Sequence, residues 1–183
     1  MKPFAIFALI VIVFVSFSNT LEAQVYLGGG RAVSFFTPAS LDHQYGYGAI
    51  IQRQIYLEES RFSLTPTLQG ALLTNRQYFE YLPEYYTTVT LSTHLNYDVL
   101  SINKFRITPF AGPSFIWATG LQAGGLVFDA LPVNFYRLGL EAGLSATYIY
   151  SENFSVKFIP LTYIWGTREY VQGNVLSFLF QIK

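Results

Sequence analysis

Three side chains in one short stretch could do hydrolytic chemistry: Ser92, His94 and Asp98 alternate within LSTHLNYD. A nucleophilic hydroxyl needs a base within hydrogen-bond reach and an acid that orients the base. In an extended strand the three share a face, yet residues two apart lie about 7 Å from each other. That is too far for a Ser–His hydrogen bond of about 3 Å without help from another strand. The spacing describes a polar strand face before it describes a catalyst. His43 is the other histidine and cysteine is absent, so a transition-metal site, thiolate chemistry and a disulfide framework are not expected. Gly28-Gly29-Gly30 lacks the Lys-Ser/Thr of a phosphate-binding loop and reads as close packing or a bend in a strand. Neither an enzymatic site nor a cofactor is expected.

The charged residues inside alternating segments say more. Arg137 and Glu141 lie four apart on one face, and Arg106 and Asp98 are expected to face the same space from neighbouring strands. His94 shares that face, and Arg31 and Lys157 are expected to join it. Buried charges need partners, so these residues read as an interior ion-pair network, with Arg137 against Glu141. The rival reading is a narrow, gated conductance along the same residues.

Composition says what such a face would be inside of. Charged residues make up only 12% of the 183, aromatics 18% and apolar residues 51%. Soluble domains carry roughly a quarter charged residues, so a water-facing surface is hard to build from this chain. Basic and acidic residues number 11 each, which gives no footprint for nucleic acid. The first 23 residues have the form of an export signal: Lys2, the apolar run Phe4 to Phe17, and a small residue at Ala23. Cleavage is expected between Ala23 and Gln24. The apolar run at 1.5 Å per residue spans about 21 Å, short of the ~30 Å of a retained membrane helix.

Beyond residue 24 the period is two, not 3.6. Tyr85, Thr87, Val89, Leu91, Thr93, Leu95, Tyr97 and Val99 alternate with Tyr86, Thr88, Thr90, Ser92, His94, Asn96 and Asp98. Residues 136–148 repeat the pattern. Eight strands are expected, at 24–36, 44–57, 61–73, 85–98, 104–118, 135–150, 154–165 and 174–183. Short connections alternate with longer ones at 37–43, 74–84, 119–134 and 166–173, as in an up-and-down barrel whose long loops share one rim. Pro66, Pro109, Pro113 and Pro160 fall inside strands, where bulges or shifted ends are expected.

Aromatics bracket the apolar face in pairs twelve residues apart: Tyr85 and Tyr97, Phe105 and Trp117, Tyr136 and Tyr148. Twelve steps of about 3.4 Å give ~31 Å along the barrel axis at ~40° tilt, close to the separation of two membrane interfaces. The apolar face is therefore expected to point outward into lipid. A soluble periplasmic binding barrel, with that face inside, is the alternative.

The Ala23–Gln24 junction followed by VYLGGG, the stretch RITPFAGPSFIWA and the last strand NVLSFLFQIK together resemble the small eight-stranded outer-membrane β-barrel family, the OmpA/OmpX-like group. The chain departs from that group in ending Ile182-Lys183 rather than on an aromatic. The resemblance covers Gln24 to Lys183. It implies a monomeric, porin-like, all-β transmembrane barrel in the outer membrane of a Gram-negative bacterium. Its partners would be outer-membrane lipid, lipopolysaccharide and, during biogenesis, the assembly machinery. A structural or surface-interaction role through the extracellular loops is the leading expectation. A small-solute channel and a lipid-modifying enzyme remain as alternatives, though no catalytic residues of such relatives can be matched here. Contact candidates in the loops are Tyr78, Phe79 and Tyr81, and the apolar Leu126 and Phe128 within 119–134.

Overall fold

Residues whose side chains alternate between apolar and small polar cannot bury a helical stripe, but they can give a sheet two different faces. The chain takes that course. The computed structural model describes residues 23–35, 43–57, 60–74, 85–123 and 130–182. Its strands are β1 (Ala23–Phe35), β2 (His43–Tyr56), β3 (Phe62–Thr74), β4 (Tyr85–Tyr97), the short β5 (Leu100–Ile102), β6 (Phe105–Ala123), β7 (Ala130–Ser151), β8 (Phe154–Gly166) and β9 (Val171–Ile182). The eight long strands form one antiparallel sheet in the order β4-β3-β2-β1-β9-β8-β7-β6, and a β4–β6 pairing closes it. Strand β5 only folds back on the start of β6, pairing Leu100–Ile102 with Phe105–Ile107. The fold is a closed eight-stranded up-and-down barrel.

Following hydrogen-bonded partners once round the wall carries the register from Phe35 to Val25 on β1, a stagger of ten residues. Each partner step from β1 towards β9 therefore descends by about 1.25 residues, which lets heights on different strands be compared.

The strand ends differ from the sequence expectation at the rim of the long connections. Strands β6 and β7 run on in unbroken register to Ala123 opposite Ala130. Leu121 and Leu131 therefore belong to strands, not to a loop over 119–134. Strand β9 starts at Val171, so the expected loop at 166–173 shrinks to a turn at 167–170, closed by Gly166 N–H on the Tyr170 carbonyl at 2.7 Å. Arg168 and Glu169 in that turn both take left-handed φ, 57° and 61°.

The prolines act unequally. A bulge separates the Leu144–Leu161 and Ala146–Phe158 pairs, at Pro160, and the inward parity of β8 flips from Ser155, Lys157 and Ile159 to Thr162 and Ile164. Strand β9 answers with Leu176 at φ 52°, opposite a register shift between Gly29 and Arg31. At Pro109 and Pro113, however, the β6–β7 register is unbroken, and Pro66 stays in register with Thr93. The expected bulges at these three positions are not present. A proline removes only its own N–H, so it can lapse one ladder without shifting it. The β4–β6 ladder lapses opposite Pro113, and the β2–β3 ladder opposite Pro66.

Side chains fill the barrel. One apolar cluster inside holds Tyr26, Ile50, Phe110, Ile159 and Leu179, on the side of the short turns. Towards the opposite rim lie Ala32, Ala71, Leu73 and Tyr86, and beside them Ile116, Ile164 and Tyr170. A belt of buried polar residues lies between these layers.

Candidate functional site

The belt is built around a carboxylate. Glu141 of β7 is fully buried, and two strands, β3 and β4, supply its partners. Gln69 of β3 donates from Nε2 to Oε1 at 2.7 Å, and Ser92 of β4 donates from Oγ to Oε2 at 2.5 Å. His94 Nε2 lies 3.0 Å from the same Oε2. Around this core, Asn174 of β9 donates from Nδ2 to Gln69 Oε1 at 2.5 Å and to Thr162 Oγ1 at 3.2 Å. Thr67 Oγ1 meets His94 Nδ1 at 3.3 Å. The ring of His94 rests on Phe110, centroids 4.8 Å apart. Gly143 makes that packing possible, because a Cβ there would lie 2.5 Å from the Phe110 ring.

The geometry answers the question raised by Ser92 and His94. Both point at one carboxylate oxygen rather than at each other, and all three residues are buried. The serine hydroxyl donates to Glu141, so His94 is not aligned to take its proton as the base of a Ser-His-Asp triad. Asp98 lies apart from this centre. It accepts from Thr108 Oγ1 at 2.6 Å, and its Oδ2 stands 3.8 Å from Arg106 NH1. Arg106 also donates to the Tyr56 hydroxyl at 2.7 Å. Lys157 is buried between strands. Its Nζ donates to Gln54 Oε1 at 2.7 Å and lies over the Tyr26 ring at 4.1 Å.

Two of the expected network members stand elsewhere. Arg137 faces inward but does not reach Glu141. Its NH1 donates to the Tyr136 carbonyl at 2.8 Å, its guanidinium lies over Phe135 at 4.5 Å, and Arg168 is a charged neighbour. Residues four apart on a strand are about 13 Å apart, and Glu141 takes its contacts across the lumen instead. Arg31 is exposed on the outer wall, since even-numbered Tyr26, Ala32 and Ser34 are the buried members of β1. Nothing in the sequence pattern marks out Gln69, Asn174 and Thr162. They look like any polar residues of alternating strands, and only the register brings them to Glu141.

The outer wall is the inverse of the lumen. Tyr85, Tyr97, Phe105, Tyr136 and Tyr148 are exposed on it, and Trp117 is half-buried and donates from Nε1 to Asn134 Oδ1 at 3.0 Å. Phe105 is paired with Tyr148 at one end and Trp117 with Tyr136 at the other. Leu138 and Leu140 between them are 64% and 51% exposed. Tyr78, Phe79, Tyr81, Leu126 and Phe128, the segment before Ala23, and the side chain of His43 lie outside the described residues. Among the described residues no group of three or more His, Asp or Glu could hold a metal ion.

A closed barrel of eight strands, apolar outside and polar inside, has solved counterparts. The fold is that of the small outer-membrane β-barrels. Neisserial surface protein A matches with a TM-score of 0.60 at 14% identity, over 88% of this chain and 96% of that one. A major outer membrane protein from Thermus thermophilus matches at 0.55 and 13%, over 88% and 99%. Ail, the attachment invasion locus protein of Yersinia pestis, solved in complex with the heparin analogue sucrose octasulfate, matches at 0.51 and 7%, over 87% and 94%. No family model matches the sequence, and no curated protein does.

Proposed function

We propose that this chain is an integral outer-membrane barrel, non-enzymatic and non-conducting, which acts as a wall element and presents its long connections outside the cell. One observation carries the reading: the strands expose their leucines and aromatics and bury their Gln, Thr, Ser and Glu. In water this arrangement would forfeit the hydrophobic driving force, whereas in lipid it recovers it. Export, with a mature N-terminus at Gln24, belongs to the same proposal, and so do biogenesis through the assembly machinery and a monomeric state. Among the described residues pairing starts at Ala23, opposite Ile55, so cleavage after Ala23 would keep the rest of β1.

The non-conducting part rests on the filling of the lumen. The polar belt is cross-linked from β3, β4, β7, β8 and β9, and aromatic Tyr86 and Tyr170 are buried towards the outer rim. A cavity beside Lys157, His94 and Asn96 has room for about one water. A surface-interaction role is assigned to the long connections at one rim, because a rigid barrel carries its recognition residues on loops. Fractionation of the envelope tests the reading, with a heat-dependent shift in gel mobility as the sign of a folded barrel. Recovery in the soluble periplasmic fraction would overturn it. Steps of current in planar bilayers would overturn the non-conducting part alone.

A further inference from the structure

The outer wall carries one charge it has no internal use for. Among the described strand residues Arg31 is the exposed charged side chain, and neither a hydrogen bond nor an ion pair holds it. Arg53, the other cation at an outward register position, is buried and engaged. The partners of Arg31 are Tyr47 on β2 and Val175 on β9. Continuing through Leu161 to Leu144 places Arg31 level with about residue 140 of β7. That is some four residues, about 10 Å along the axis, inside the level of Tyr136.

Below Arg31 the wall is hollowed. Gly29, Ala49 and Gly70 lie side by side across β1, β2 and β3; a Cβ on Gly70 would meet nothing within 4 Å, whereas one on Gly29 would meet the Gly48 carbonyl oxygen at 2.3 Å, so the recess is deepest over Gly70. Above the hollow stands Tyr47, 70% exposed. A cation, a phenol and a shallow apolar recess thus lie on one line of the wall, in order from polar to apolar.

The geometry points to a lipid site: Arg31 and Tyr47 hold the phosphate of an outer-leaflet lipid, and an acyl chain of that lipid lies in the recess of Gly29, Ala49 and Gly70. This rests on the outer-membrane reading. A guanidinium left in hydrocarbon without an anion is costly, and a long stem lets it reach upward to the interface. Planar, bidentate donors fit phosphate oxygens, and the tyrosine hydroxyl supplies a further donor. A second copy of the chain across a twofold axis is disfavoured, because it brings Arg31 against Arg31.

Native mass spectrometry of the full barrel released from detergent tests the site, with phosphatidylglycerol and the uncharged monogalactosyldiacylglycerol as probes. The wild type is expected to retain one phosphatidylglycerol and to release the galactolipid. Arg31→Ala and Arg31→Gln should weaken retention about tenfold, and Arg31→Lys less, because it keeps the charge but loses the fork. Lys104→Ala, a cation at the opposite rim, should leave retention unchanged. Equal retention by wild type and Arg31→Gln, equal retention of the galactolipid, or an Arg31-dependent dimer would each overturn the site. The heat-dependent gel shift of the same samples reads barrel integrity separately. A variant that keeps the shift and loses the lipid supports the site, whereas a wild type without insertion into vesicles sinks the membrane reading instead.

Discussion

Leu140 and Glu141 are neighbours in β7, and their environments are reversed from those of a soluble protein. The leucine is 51% exposed and the glutamate 0%. Every long strand repeats the contrast, with one face solved by packing against lipid and the other by hydrogen bonds across a lumen about as wide as two side chains. The comparison separates two kinds of specificity. Outside, any apolar residue of moderate size will do. Inside, a residue is useful only if its polar atoms meet partners on strands far away in sequence. Substitutions on the two faces should therefore fail for different reasons.

The largest effect is expected at the centre of the belt. Glu141→Ala leaves the donors of Gln69 and Ser92 and the ring of His94 facing a void, and should lower stability by about 3–5 kcal/mol in urea unfolding. Glu141→Gln keeps the volume and should recover part of that loss. A loss under about 0.5 kcal/mol, the range of an ordinary surface change, would mean that the lumen is wet and the belt is not a core.

On the other face, Leu140→Arg puts a cation deep in the apolar band at the height of Arg31 but without Tyr47 beside it, and should cost about 2–4 kcal/mol. A spin label at position 140 should be relaxed by a lipid-soluble agent, and one at Ser145 should not. The reverse pattern would return the apolar face to the inside of a soluble barrel. Ser92→Ala should cost about 1.5–3 kcal/mol, because it removes a donor to a buried charge. If Ser92 were instead a nucleophile, its loss would abolish a lipid-modifying activity and leave stability nearly unchanged.

How much of this could be read from the sequence follows the same division. Which face a residue takes was legible wherever alternation is unbroken, as in β4 and β7. It failed for Arg31, where a polar residue suggested the lumen and the parity set by Tyr26, Ala32 and Ser34 places it outside. The ends of β6, β7 and β9 were missed because apolar residues such as Leu121 and Leu131 suit a strand above the membrane as well as a loop. Partnership was illegible in principle. Period two assigns Gln69, Ser92, His94, Glu141 and Asn174 to the lumen, but whether they meet depends on the stagger of ten residues and on the bulges at Pro160 and Leu176.

The smallest effect decides between the sequence pattern and the register. Spacing alone pairs Arg137 with Glu141, since both face inward four residues apart. The structure pairs Glu141 with His94 and leaves Arg137 over Phe135. Two double-mutant cycles separate these. For Arg137→Ala with Glu141→Ala the losses should add, with a coupling no larger than about 0.3–0.5 kcal/mol, because the two side chains share no partner. For His94→Ala with Glu141→Ala the coupling should fall within about 0.5–3 kcal/mol, the range for groups in direct contact. Removing Glu141 strands the His94 ring, whereas the double variant leaves no ring to strand. Ser92 and Gln69 lose the same acceptor in either double variant, so their cost is common to the two cycles and cancels from the comparison. A large Arg137 term with a small His94 term would mean that β4 and β7 meet in another register, and the belt as drawn would be wrong.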